Sequence, residues 1–280
     1  MDSTGFEIWG ADPPASPVMI SVAHAGRDYP VALRAALRAP LAACVGLEDR
    51  HIDAVALAAR GAETTLIQRR ARAWIDLNRG EHERDPQVDE GAPPLPPGTT
   101  KVSSGLGLVP RRVAPAGELW RRRWSDAEVR TRLDTDHRPF HQALADRLTA
   151  VRRRWGVAVL LDVHSMPPLT GAAAGTRVVL GDRFGRASAA RFVARVEAVA
   201  SAAGLPAALN TPYAGGHILD RHGQPSAGVH AIQLELDRSL YLDRALDRPG
   251  PGLARIAAMV RQMLAALADE AVGAMPLAAE

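Results

Sequence analysis

Val157-Ala158-Val159-Leu160-Leu161-Asp162-Val163-His164-Ser165-Met166-Pro167 is the stretch on which the reading of this chain turns. Residues 157–163 form a bounded run, apolar apart from Asp162 and rich in β-branched side chains. A run of this length suits a strand covered on both faces of a sheet, although periodicity alone does not separate it from a buried helix. His164-Ser165 follows at its carboxyl end, and in open α/β sheets that end is where ligands are held. The same order recurs near the start: Val18–Val22 reads as a short buried strand and runs into His24 and the turn Ala25-Gly26. Two histidines at strand ends carry more weight than either alone.

Working outward, the pattern predicts further strands at 64–68, 73–77, 176–180 and 229–236, and helices over 30–42, 47–60, 125–155, 185–203 and 252–271. The segment 73–77 ends in Asn78-Arg79. On the helix from residue 47, Asp49 and Asp53 stand four apart and share a face. His137 and His141 are also four apart on a helix, but the glutamate of an H-E-x-x-H motif is absent, so packing or positioning is the favoured role. In 229–236 strict alternation puts Gln233 and Glu235 on one face. A carboxylate inside an apolar strand must be paired, protonated or used, because burying it alone is costly.

At 280 residues and 47% hydrophobic content, the chain reads as one enzyme-sized domain over 1–280, with a proline- and glycine-rich loop or lid at about 81–115. A single cysteine, Cys44, excludes a disulfide framework and a cysteine zinc site, leaving His, Asp and Glu as metal ligands. The formal charge is +3, Lys101 is the only lysine, and aromatic residues make up 4%. Arginine triplets without stacking platforms argue for solvated faces and against nucleic acid. The first residues carry no basic region followed by an apolar core, and no apolar run approaches a membrane span, so a soluble, cytoplasmic protein without a membrane partner is expected.

His24 and His164, with Asp49 or Glu48, would supply three N/O ligands, the catalytic pattern for zinc. Glu235 then has a task as general base, and Asn78-Arg79 offers the planar, permanently charged fork that a substrate carboxylate needs. The set describes metal-assisted hydrolysis of an amide on a small acidic substrate.

The blocks Ser21–Gly26, Glu48–Asp53, Ile75–Arg79, Ser104–Arg111, Leu161–Pro167, Gly215–Ile218 and Val229–Leu236 occur in the order seen in the N-formylglutamate amidohydrolase family, which this sequence resembles over about residues 18 to 242. That family is similar in fold to zinc carboxypeptidases and aspartoacylases. The resemblance implies an α/β fold with a mixed central sheet flanked by helices on both faces. It also implies a zinc-dependent hydrolase, with one Zn2+ or another divalent ion, that releases formate from N-formyl-L-glutamate in histidine degradation. Residue by residue, His24, Asp49 and His164 are expected to hold the metal, Glu235 to act as base and His217 to assist. Asn78, Arg79 and Arg111 are expected to bind the substrate. One departure stands out: carboxypeptidase-like sites take a glutamate ligand three residues after the first histidine, where this chain has Arg27. Asp49 is therefore expected as the third ligand, with Glu48 in reserve. Hydrolysis of another acidic amide, and a non-catalytic domain that binds a small acidic ligand, are the alternative readings.

Overall fold

The computed structural model describes residues 5–95 and 100–273. Over these residues the chain divides into two compact units: Met1–Glu7, Ala23–Asp49 and Ile67–Ala143 form one, and Ile8–Val22, Arg50–Leu66 and Leu144–Glu280 the other. The strands are β1 (Phe6–Trp9), β2 (Val18–Val22), β3 (Thr64–Gln68), β4 (Arg112–Val113), β5 (Gly117–Glu118), β6 (Ala158–Met166), β7 (Val178–Gly181), β8 (Ala207–Leu209) and β9 (Val229–Asp237). The helices are α1 (Val31–Ala36), α2 (Ile52–Ala59), α3 (Thr100–Ser103), α4 (Asp126–Arg132), α5 (Arg138–Trp155), α6 (Ala190–Ala202), α7 (His217–His222) and α8 (Leu253–Gly273).

The second unit is built on a seven-stranded sheet in the order β1-β3-β2-β6-β9-β7-β8. Strand β6 lies parallel to both β2 and β9, β7 runs antiparallel to β9, and β8 runs parallel to β7, so the sheet is mixed, as expected. All nine residues of β6 are buried, which explains why its sequence does not alternate. Helices α2 and α8 pack on β2 and β6 and on each other, α6 packs on α8, β7 and β8, and α7 on β9. The stripe Ile256, Val260, Met263, Leu264 and Leu267 buries the inner face of α8 at the three- and four-residue spacing of a helix. Among the described residues no helix is long and apolar enough to cross a membrane.

Several expected boundaries move. Strand β6 pairs with β9 as far as Met166, so His164 and Ser165 lie inside the strand and not beyond its end. The segment 73–77 is no strand. Its alternate residues Ala73, Ile75 and Leu77 are buried, but its backbone is tied by turns, Trp74 N–H to Ala71 O and Arg79 N–H to Asp76 O, and by Asp76 N–H to Leu108 O. The region 30–42 splits because Leu37 leaves α1 to pair with Trp120, and Pro40 starts a separate tight turn of helix, Leu41–Leu47. Helix α2 starts only at Ile52, after His51 takes a left-handed φ of 57°, so Asp49 precedes the helix and shares no helical face with Asp53. Helix α6 likewise begins at Ala190 and not at 185, since Arg183, Phe184 and Gly185 form a left-handed turn held by the Asn210 and Asp182 side chains. The helical region from 125 is confirmed, interrupted by one π-helical turn at Leu133–His137.

In the first unit the proline-rich region holds α3 and the short β4–β5 hairpin, between irregular turns. Arg132 is fully buried with its guanidinium between the Trp74 and Trp124 rings, 3.8 and 3.7 Å from their centroids. Gly26, read from sequence as a flexible turn, is instead a close approach: a Cβ there would lie 2.0 Å from the Arg70 carbonyl oxygen.

His230 in β9 gives the fold a pH dependence. Its ring packs on Phe192 at 4.5 Å, and its Nδ1 accepts from the Ala189 N–H at 3.2 Å, which only a neutral ring can do. Burial first, and then the charge of Arg191, push its pKa down to about 4 from 6.5. Between these values the unfolded chain binds a proton that the folded chain does not, so the contribution is complete above about 6.5 and is lost as pH falls. Denaturant unfolding at pH 7 and pH 4.5 should show a loss from this residue of up to about 3 kcal/mol. His230→Gln should start less stable and lose less on acidification; an equal loss in both proteins would refute the assignment.

Candidate functional site

Each unit carries part of the expected constellation. In the sheet, Asp162 is directly across from Ser21 of β2 and Gln233 of β9, and two residues further His164 is across from Glu235. Side chains two apart on a strand share a face, so Asp162, His164, Gln233 and Glu235 form a two-by-two block. The block is tied down along each strand. His164 Nε2 is 2.7 Å from Asp162 Oδ2, and Gln233 Nε2 donates to Glu235 Oε1 at 2.9 Å. The other oxygen of Asp162 accepts from the Ser21 hydroxyl at 2.5 Å. All four are buried, with Glu235 the least so at 8% exposure. Ser165 points to the opposite face, where its Oγ accepts from Arg238 Nε at 3.2 Å.

The same device recurs in the first unit. Chain leaving β2 reaches His24 two residues later, and His24 Nε2 is 2.7 Å from Asp76 Oδ1. Asp76 is fully buried; burial pushes its carboxyl up, but the charges of Arg72, His24 and Arg79 outweigh this and hold it well below the usual carboxylate range. Arg72 Nε donates to its Oδ2 at 2.8 Å, and the Asn78 N–H to its Oδ1 at 2.9 Å. An ionised Asp76 can only accept, so His24 must donate from Nε2, and the tautomer so fixed turns a basic Nδ1 elsewhere. That Nδ1 faces Asp49 Oδ2 at 3.6 Å, too long for a hydrogen bond. Two ligands about 2.1 Å from one ion at the tetrahedral angle stand about 3.4 Å apart, so the spacing suits a shared cation. Histidine nitrogen oriented by a carboxylate, beside a second buried carboxylate, is a donor set that fits zinc. Glu48, the reserve candidate, is turned to the Tyr29 hydroxyl.

Arg79 is buried in the turn that its N–H closes on the Asp76 carbonyl. Its Nε donates to Leu106 O at 2.8 Å and its Nη1 to Asn78 O at 2.7 Å, while the nearest carboxylate, Glu83, is 3.9 Å away. His137 and His141 support this turn from the helix behind it, their Nε2 atoms 2.8 and 2.9 Å from the carbonyls of Arg79 and Leu77. Arg111 is held by Asp85 through Nε at 2.9 Å and by Glu118 through Nη1 at 2.6 Å. His217 opens α7, half-buried, just after Gly215, whose φ of +104° only glycine adopts readily.

The orienting carboxylates Asp76 and Asp162 were not singled out by sequence reasoning for this role. Their signal was present, since each is the one charged residue in an otherwise apolar stretch, the same argument applied to Glu235. Arg72 gave no signal of its own.

The family model of N-formylglutamate amidohydrolase matches residues 16–242. The N-formylglutamate deformylase of Pseudomonas aeruginosa is 32% identical over 232 residues, which cover 81% of this chain and 82% of that protein. The N-formylglutamate deformylase of Pseudomonas putida is 30% identical over 232 residues, again 81% of this chain and 82% of that protein. The crystal structure of N-formylglutamate amidohydrolase from Ralstonia eutropha JMP134 superposes with a TM-score of 0.88 at 28% identity, over 98% of this chain and 100% of that one. A match that begins just before β2 and ends just after β9 takes in every site residue described above, and by it the chain belongs to the N-formylglutamate amidohydrolase family.

Proposed function

We propose that this protein hydrolyses the formyl amide of N-formyl-L-glutamate to formate and glutamate at a site holding one zinc or similar divalent ion. His24, Asp49 and His164 are its ligands, and all three are buried. The observation that carries the reading is the repeated carboxylate-to-Nε2 bond, on His24 from Asp76 and on His164 from Asp162. Zinc bound there would supply Lewis acidity, polarising the formyl carbonyl and acidifying a water.

Glu235 takes that water's proton as hydroxide adds to the formyl carbon, then delivers it to the nitrogen as the C–N bond breaks. Its neighbour Gln233, which donates to Oε1, keeps the carboxylate aimed. His217 serves the oxygen on which negative charge develops. Arg79 binds a substrate carboxylate with Asn78 beside it, and two backbone carbonyls hold its guanidinium in place. Arg111 joins them through Nη2, its other nitrogens being engaged by Asp85 and Glu118. Residues 81–115, of which 96–99 lie outside the described residues, serve as the loop over the substrate. The partner is a small acidic N-acyl amino acid.

Formate release from N-formyl-L-glutamate should disappear on treatment with a chelator and return with zinc; activity indifferent to metal removal would reject the site. Comparison with N-acetyl-L-glutamate and C-terminal glutamyl peptides should favour the formyl compound, and equal turnover would point to another acidic amide. Glu235→Gln should lower kcat by about 10²–10⁴ with substrate still bound, and an unchanged kcat would mean that the base lies elsewhere. Asp76→Asn should weaken zinc binding about 10–100-fold in a competition titration; unchanged affinity would remove Asp76 from the site.

A further inference from the structure

Asp49, the proposed carboxylate ligand, stands on no regular element, between the Leu41–Leu47 turn of helix and α2. A ligand on a short connection is only as precise as the bonds that hold the connection, and here the backbone is pinned on both sides. The Asp49 N–H donates to the His24 carbonyl at 2.9 Å. The next carbonyl, that of Arg50, accepts from the Tyr241 hydroxyl at 2.9 Å. Arg50 is tied down again by its guanidinium: Nε donates to the Asp247 carbonyl at 2.8 Å, and Nη2 lies 2.6 Å from Asp247 Oδ1. Tyr241 is fully buried and caps the Arg238–Leu240 turn that follows β9. Its segment is stiff, since the Gly250 N–H donates to the Tyr241 carbonyl and the Asp243 N–H to the Arg248 carbonyl, both at 2.8 Å, and a Cβ on Gly252 would lie 2.0 Å from the Leu240 carbonyl oxygen.

These bonds oppose one specific alternative. His51 holds a left-handed φ of 57°, which a residue with a side chain adopts only at a cost. Relaxed to helical angles, His51 would let α2 grow upstream, and the Arg50 carbonyl would turn to the Ala54 N–H four residues on, which now donates to the His51 carbonyl at 3.1 Å. The Asp49 carboxylate would rotate with the chain. We propose that Tyr241 is a positioning residue for the metal: by occupying the Arg50 carbonyl it keeps α2 from growing back through His51, and so holds Asp49 where it shares an ion with His24. This rests on the ligand set proposed above and adds a residue that acts only through Asp49.

The test is zinc affinity, measured by competition with a chromophoric chelator at a temperature where circular dichroism shows each protein folded. Tyr241→Phe keeps the ring and loses the hydroxyl; it should weaken zinc binding about tenfold, and should have no further effect once Asp49→Asn has removed the ligand. Leu267→Ala, a truncation in the buried face of α8, should lower Tm at least as much and leave the affinity of the folded protein unchanged. If Tyr241→Phe does not fold, Asp247→Ala takes its place, since it removes only the half-exposed partner of Arg50, with an expected loss of about two- to threefold. Unchanged affinity in the variant used, an equal loss with and without Asp49, or a matching loss in Leu267→Ala would overturn the positioning role and leave the hydrolase reading intact. Affinity that Asp49→Asn itself leaves unchanged would overturn the ligand set and this inference with it.

Discussion

Two buried carboxylates, each bonded to the Nε2 of an imidazole, are the constraint on which the site depends. Asp76 sets His24 and Asp162 sets His164, both at 2.7 Å. A buried carboxylate is tolerable only where donors surround it. Asp76 has Arg72, the Asn78 N–H and His24; Asp162 has the Ser21 hydroxyl and His164. The donors that make burial affordable also choose the tautomer of each ring, so the fold and the chemistry share the same bonds.

The sheet supplies precision that loops could not. Because β6 and β9 are parallel and in register up to their last residues, His164 and Glu235 stand side by side on one face, with the Asp162 and Gln233 pair one step earlier. A slip of one residue would send all of β9's polar side chains to the opposite face. Burial on both sides of β6 and β9 fixes that register, and the apolar stripe of α8 contributes the cover. The first unit reaches similar rigidity by other means. The 72–79 segment has no regular structure, and its shape comes from turns, from Asp76, and from the carbonyl bonds of His137 and His141.

How much of this was legible in the sequence depends on whether the information was local. Bounded apolar runs identified β2, β3, β6 and β9, and the three- and four-residue spacing identified α5 and α8, because burial sets those patterns directly. The 73–77 segment misled because a buried turn and a buried strand place apolar residues alike; its partners Leu108 and His141 are brought in only by the fold. Asp49 was expected on a helix and precedes it, since nothing local announces the left-handed turn at His51 that holds it out of α2. That Glu48 is turned to the Tyr29 hydroxyl is likewise a tertiary contact that no local pattern announces. Asp76 and Asp162 were visible as lone charges in apolar segments, but which histidine each serves is a matter of tertiary contact.

Which nitrogen of each ring carries the proton is read directly by a long-range 1H–15N NMR spectrum, with His24→Gln and His164→Gln assigning the signals. In the metal-free protein both rings should be Nε2–H tautomers, and added zinc should move their Nδ1 resonances. Nδ1–H tautomers, or Nδ1 resonances that zinc leaves unmoved, would contradict this arrangement.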